Sequence, residues 1–259
     1  MFNYATQPLS IGKVLDNGIR LCVTSFPAII LFAFLAAVIM TLPGFFAPPP
    51  PQPGETIDAG QLLTQSLLPY MLSMLVGFVF LTATIVRINA TAESREIGLG
   101  MALSIGVKKL LPVFIGMILY MIAIMAGMVV LVIPGIILML SLAFYQMLIV
   151  LDDNRTFEAL RTSHRLVWGN WWRTATVFMV PAVFYMVIYI IFGVIMGMFI
   201  PFTEVANGEG MGTLELAIGI MMIVVGTFTM PLFYSIALTQ LNDLKLRKQG
   251  LDLEERISA

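Results

Sequence analysis

The sequence predicts an all-α integral membrane fold, with six transmembrane helices and three interfacial amphipathic helices. Three observations carry the prediction. First, 59% of the 259 residues are hydrophobic and only 11% are charged, against about 25% charged in soluble domains. A water-soluble fold of this size could not hide so much apolar surface. Second, there are six apolar runs, and a helix needs about 20 apolar residues to cross roughly 30 Å of hydrocarbon. Third, the 14 Lys and Arg all fall on one side of the resulting six-span map.

In chain order, residues 1–9 form a short tail and Ser10 caps the first helix. Ile11, Val14, Leu15, Gly18 and Cys22 share one side of it, while Lys13, Asp16, Asn17 and Arg20 occupy the others. That pattern suits a helix lying among lipid headgroups. Span one follows, about Thr24–Leu42. It ends at Leu42-Pro43-Gly44 without a small-x-small cleavage site, so it is expected to be retained as an anchor. Gly44 to Gly60 is a loop in which Pro48–Pro51 and Pro53 favour a stiff extended spacer. Span two covers about Leu62–Val86, with a kink possible at Pro69, and continues as helix through Arg87–Ser94.

Gly98–Leu110 is the second amphipathic stretch, ending in Lys108 and Lys109. Span three, about Leu111–Ile133, ends at Pro134-Gly135. Proline lacks a donor and glycine tolerates reversed backbone, so this pair is expected to form a tight hairpin break. Span four, Ile136–Leu151, is short, about 24 Å at 1.5 Å per residue.

Asp152, Asp153 and Thr156 offer capping oxygens for the third amphipathic helix. Phe157, Leu160, His164, Val167 and Trp168 form its apolar stripe, with Arg155, Glu158, Arg161, Thr162 and Arg165 elsewhere. Ala159 and Ser163 are small and four apart, which allows close helix contact. Asn170 caps span five, about Thr174–Ile200. Trp168, Trp171 and Trp172 fit an interfacial aromatic belt. After an acidic loop at Phe202–Gly212, span six runs about Leu214–Thr239. Residues 243–259 are expected to be a flexible polar tail.

On this map Lys13 and Arg20 precede span one. Arg87, Arg95, Lys108 and Lys109 lie between spans two and three. Arg155, Arg161, Arg165 and Arg173 lie between four and five, and Lys245, Arg247, Lys248 and Arg256 follow span six. The opposite loops hold only acids: Glu55, Asp58, Glu204 and Glu209. The positive-inside rule then puts both termini in the cytoplasm. A miscounted span would scatter the cations over both faces.

The three amphipathic segments share a spacing: Val14-Leu15-x-x-Gly18-x-Arg20, Ala102-Leu103-x-x-Gly106-x-Lys108 and Ala159-Leu160-x-x-Ser163-x-Arg165. Each precedes a two-span hairpin. A single polytopic domain, 1–259, could therefore contain three helix-hairpin units, 10–94, 98–154 and 155–242.

Ile133-Pro134-Gly135-Ile136-Ile137, the apolar run to Asp152, Ala159-Leu160-x-x-Ser163-x-Arg165-Leu166 and Gly169-Asn170 together resemble the YciC-like family of multi-pass bacterial inner-membrane proteins. The sequence looks more distantly like the membrane domain fused to some glycerophosphodiester phosphodiesterases. The resemblance implies a location, the bacterial inner membrane, and a fold; it implies no activity. In a chain this apolar no phosphodiesterase catalytic domain is expected.

The lone Cys22 and His164 cannot build a disulfide framework or a His-pair metal site, and no CxxC, HExxH, GxSxG or phosphate-loop motif is present. No catalytic, cofactor or metal residue is expected, and no cofactor. His164 reads as a packing residue. No ionisable residue lies well inside a span, which disfavours ion coupling. Membrane lipids are the expected partners and nucleic acid is not, while a homo-oligomer or a membrane-protein partner stays open. Arg161, Arg165, Lys108 and Lys109 are the candidate contacts to anionic lipid, since each cation near such a surface is worth about 1 kcal/mol. The expected role is a non-enzymatic membrane protein supporting envelope maintenance or lipid handling. The alternative is a transporter or channel for a small or amphipathic solute.

Overall fold

The computed structural model describes residues 4–46, 58–199 and 211–258. The proline-rich stretch, Glu204 and Glu209 lie outside them. Among the described residues there are helices and no strands, and six of the helical stretches are long and apolar enough to cross a membrane.

α1, Ile11–Phe45, is one unbroken helix capped by Ser10. Its 35 residues span about 52 Å at 1.5 Å per residue, well beyond a hydrocarbon core of about 30 Å. The first amphipathic segment is therefore the start of span one and not a separate surface helix. Val14, Gly18, Leu21 and Cys22 are buried. A Cβ on Gly18 would lie 2.7 Å from the Ile236 backbone, so this stripe packs against the last helix and not among headgroups.

α2, Ala59–Gln61, leads through a π-helical segment, Leu62–Leu67, into α3, Leu68–Ala92. Pro69 sits in the first turn of α3. In the widened turns just before it the Leu68 amide donates to the Leu63 carbonyl, a bonding shift that accommodates the missing proline donor. α4, Leu99–Val130, again runs unbroken from amphipathic segment into span. A Cβ on Gly106 would meet the Val79 carbonyl oxygen at 2.5 Å. Only glycine lets α4 approach α3 so closely.

The hairpin after α4 breaks at Leu131, which is extended (φ −165°, ψ 150°), and not at Pro134-Gly135. α5, Val132–Ser141, contains both residues. A helix continuing through Pro134 would drive its ring into the carbonyl four residues earlier. Breaking at Leu131 puts Pro134 in the first turn, where no donor is needed. Gly135 serves packing: a Cβ on Gly127 would be 2.9 Å from the Gly135 Cα.

Span four is itself discontinuous. α5 ends at Ser141, residues 142–144 turn, and α6, Tyr145–Leu151, resumes. α7, Thr156–Val167, is a separate short helix. α8, Trp171–Phe199, follows Gly169, whose φ of +88° suits glycine. The last helix, α9, Met211–Ser258, has 48 residues. It includes the segment expected to be a flexible tail, and Asp243 and Leu244 within that segment are buried.

The repeat expected from the spacing is therefore uneven. Two amphipathic segments are continuous with their spans and the third is not. α1 packs along α9 and α3, α3 along α4, and α4 along α5, while α7 lies on α4, α5 and α6. The buried core joins α1, α3, α6 and α9 through residues such as Ile29, Phe32, Ile85, Ile149 and Leu238.

Candidate functional site

The described basic residues gather at one end of the bundle, and hydrogen bonds tie the helix ends together there. Asp243 on α9 is the centre, with no side-chain exposure. Its Oδ2 accepts from Arg173 Nε and Arg247 Nε, each at 2.9 Å, and its Oδ1 accepts from the Leu9 amide at 2.7 Å. Both guanidinium groups also donate to the Leu9 carbonyl at 2.7 Å. The segment before α1 is thus clamped between α8 and α9. Asn242 adds a 3.0 Å bond to the Ala5 carbonyl, and the Tyr4 hydroxyl donates to Asn89 at 2.9 Å. Burial pushes the Tyr4 phenol well above its usual range. The short tail before α1 is, from Tyr4 to Leu9, an interlocked strap.

Asp152 and Asp153 do not cap α7. Asp152 ends α6 and pairs with Lys245 on α9 at 2.6 Å. Asp153 has φ +56° and pairs with Lys109 of α4. The hydrogen bond from Lys109, and then its charge, hold the Asp153 carboxyl below the usual range. Both acids follow the end of α6, where αL geometry closes a helix and an aspartate tolerates it. Arg155 occupies the N-cap of α7 without a side-chain bond, and the Thr156 hydroxyl donates to the Pro112 carbonyl at 3.1 Å. Asn170 immediately precedes α8, and its carbonyl accepts from the Thr174 amide at 3.0 Å.

α7 has three faces. Ala159, Ser163, Leu166 and Val167 are buried against the bundle. Ser163 lies opposite the gap in span four: its hydroxyl donates to the Ser141 carbonyl at 2.8 Å and accepts from the Phe144 amide at 3.2 Å. One side chain thus satisfies two of the backbone groups that the break frees. The second face carries Arg161 and Arg165, both exposed. Neither makes an ion pair among the described residues. The third face is apolar and outward: Phe157 and Trp168 are exposed, and Trp172 at the start of α8 is 80% exposed.

Trp171 instead turns inward, its ring nitrogen 3.4 Å from the Ile137 carbonyl. His164 stacks beside Trp168, with ring centroids 5.1 Å apart. Lys108 is exposed, while Lys109 is engaged by Asp153.

Cavities open at the basic end. One, about 310 Å³, is lined by Tyr4, Asn89, Glu93, Asp152, Asn242 and Lys245 among others. Another, about 430 Å³, lies between α1, α3 and the start of α4. A third, about 360 Å³, sits at the opposite end beside Met40, Phe45, Tyr70 and Glu215. Along α1, the buried residues Ile29, Phe32, Ala33 and Ala36 separate the two ends.

Asp243 was not foreseeable from the sequence as the hub. It sits in a run of mixed charge, and only three-dimensional proximity picks Arg173 and Leu9 as its partners. The sequence offers only an acid flanked by Leu241 and Leu244, which does not set Asp243 apart from other acids in helices.

A model of one protein family, described as Uncharacterised protein family (UPF0259), matches residues 54–207. No curated protein and no solved structure matches the chain.

Proposed function

From the premise that this chain belongs to the uncharacterised family UPF0259, we propose that it is a non-enzymatic multi-pass protein of the bacterial inner membrane that engages anionic lipid at its cytoplasmic face and serves envelope maintenance. One observation carries the reading. Arg161 and Arg165 are exposed and unpaired among the described residues, beside the outward Phe157, Trp168 and Trp172. Apolar rings enter the acyl boundary while the cations remain at headgroup level. The segregated cations support a cytoplasmic assignment for that face and for both termini, by the positive-inside rule. The resemblance to the YciC-like family supports the inner membrane. The competing transporter reading needs a polar route between the two faces, and the packed middle of α1 weighs against it.

The native tryptophans make the test direct. In bilayers of equal phosphatidylglycerol and phosphatidylcholine, brominated phosphatidylglycerol is expected to quench Trp fluorescence more strongly than brominated phosphatidylcholine. At about 1 kcal/mol per cation, an Arg161→Ala, Arg165→Ala double variant should remove most of that preference, as should high salt. Equal quenching by both lipids in the wild type would refute the proposal.

A further inference from the structure

The cavity of about 430 Å³ lies where α3 ends and α4 begins, against the flank of α1. Ala28 of α1 forms one wall, Arg87 and Thr91 of α3 a second, and Arg95 and Gly98 a third. Ala28 lies inside span one, so the cavity borders the membrane.

Arg87 is partly buried, with its guanidinium carbon 5.9 Å from the centroid of the Phe32 ring. A guanidinium held over a ring face keeps its in-plane donors for another partner. No described carboxylate forms an ion pair with it. Arg95 is placed by the way α3 ends. Ser94 takes φ +56°, the Ser94 amide donates to Thr91, and the Arg95 amide donates back to the Ala90 carbonyl at 2.8 Å. This is a Schellman closure, and it turns the chain so that Arg95 lines the cavity. Arg95 pairs with Glu93 but its side chain remains 61% exposed, leaving donors accessible.

The third contributor is the start of α4. Gly98 is its N-cap without a side-chain bond, and a Cβ on Gly98 or Gly100 would touch nothing within 4 Å. The first amides of α4 therefore have no side-chain acceptor at the cap. The exposed Glu96 also lines the cavity. Arg95 already answers Glu93, so Arg87 is the cation left for a ligand, which suits a singly charged phosphodiester better than a dianion.

We propose that this cavity binds the phosphodiester of a membrane lipid, with Arg87 and Arg95 as donors and the α4 N-terminus behind them. The proposal deepens the lipid reading above and rests on it: Arg161 and Arg165 gather anionic lipid loosely, and Arg87 holds one headgroup at a defined place. The source of the phosphate is the bilayer, because the cavity wall includes a residue of a span.

Native mass spectrometry of the detergent-solubilised full chain tests it, by titration with dioleoyl phosphatidylglycerol, with dioleoylglycerol, which has the same tails and no phosphate, and with glycerol 3-phosphate. One phosphatidylglycerol should bind ahead of the rest and dioleoylglycerol should not replace it. Arg87→Gln should weaken that first site about tenfold, the equivalent of one charge-assisted contact. Gly98→Asp is the second variant. The backbone at Gly98 (φ −64°, ψ 155°) accepts any residue, and aspartate is a favoured N-cap. This variant should fold at least as stably as wild type while its carboxylate excludes the phosphate. Arg161→Ala, Arg165→Ala should leave the first site intact and reduce only later, salt-sensitive binding. That separates the two readings: loss of the Trp-quenching preference concerns α7 alone. An unchanged first site in both Arg87→Gln and Gly98→Asp would overturn the proposal. Equal competition by glycerol 3-phosphate would overturn the assignment to lipid.

Discussion

Replacing Asp243 with Ala is expected to cost about 3–5 kcal/mol of stability, the range for removing one partner from a buried ion pair. The carboxylate has no exposed side-chain surface and serves Arg173, Arg247 and the Leu9 amide at once. Without it, two guanidinium groups are left facing one backbone carbonyl, Leu9, to which both donate. Arg173 is only 15% exposed, so water replaces the lost partner poorly. The strap from Tyr4 to Leu9 should come loose as well, since the Leu9 amide loses its acceptor on Asp243. Cys22 is the one cysteine and is buried, so a thiol-reactive dye reports unfolding at a single site. Asp243→Ala should shift its labelling to markedly lower temperature. On an Arg173→Ala background the same substitution should cost less, because one orphaned charge is already absent. Additive costs would show that the cluster is not a unit.

Ser163→Ala is expected to destabilise by about 2–4 kcal/mol, since two backbone groups at the gap in span four lose their partner and each buried unpaired group costs about 1–3 kcal/mol. The Ser141 carbonyl and the Phe144 amide depend on this hydroxyl. Phe144 itself is fully buried, so no water replaces the bond easily. The Phe144 amide should exchange hydrogen faster in the variant, while amides in α1 and α3 keep their protection. Wild-type exchange at Phe144 would show that the staple is not needed. The effect should also reach α7, because Ser163 fixes that helix to the bundle and thereby sets where Arg161 and Arg165 point.

The apolar runs and the segregated cations were legible because both are dictated by solvent. Lipid requires long apolar helices, and the charge bias needs no knowledge of packing. What escaped was long-range. Nothing local distinguishes the start of α1 or α4 from a surface helix. Their apolar stripes look alike whether they meet lipid or, as at Gly18 and Gly106, another backbone. Pro134 signalled a break, but its steric reach places that break several residues upstream, at Leu131. Ser94 and Asp153 end helices in the αL conformation without glycine, so the usual cue was missing. Asp152 and Asp153 have the local pattern of caps, whereas Lys245 and Lys109 win them through tertiary proximity. The candidate contacts divide in the same way. Arg161, Arg165 and Lys108 are exposed, Lys109 is already paired, and Arg87 drew no attention because its ring partner lies on another helix.

The proposed function requires that the cation-rich end of the bundle face the cytoplasm and its anionic leaflet. Single cysteines introduced into a Cys22→Ser background, at Glu55, Glu209, Lys108 and Lys248, test this in intact cells with a membrane-impermeant maleimide. Glu55→Cys and Glu209→Cys should label from outside, and Lys108→Cys and Lys248→Cys only after the inner membrane is opened. Labelling of Lys108→Cys or Lys248→Cys from the same side as Glu55→Cys would contradict it.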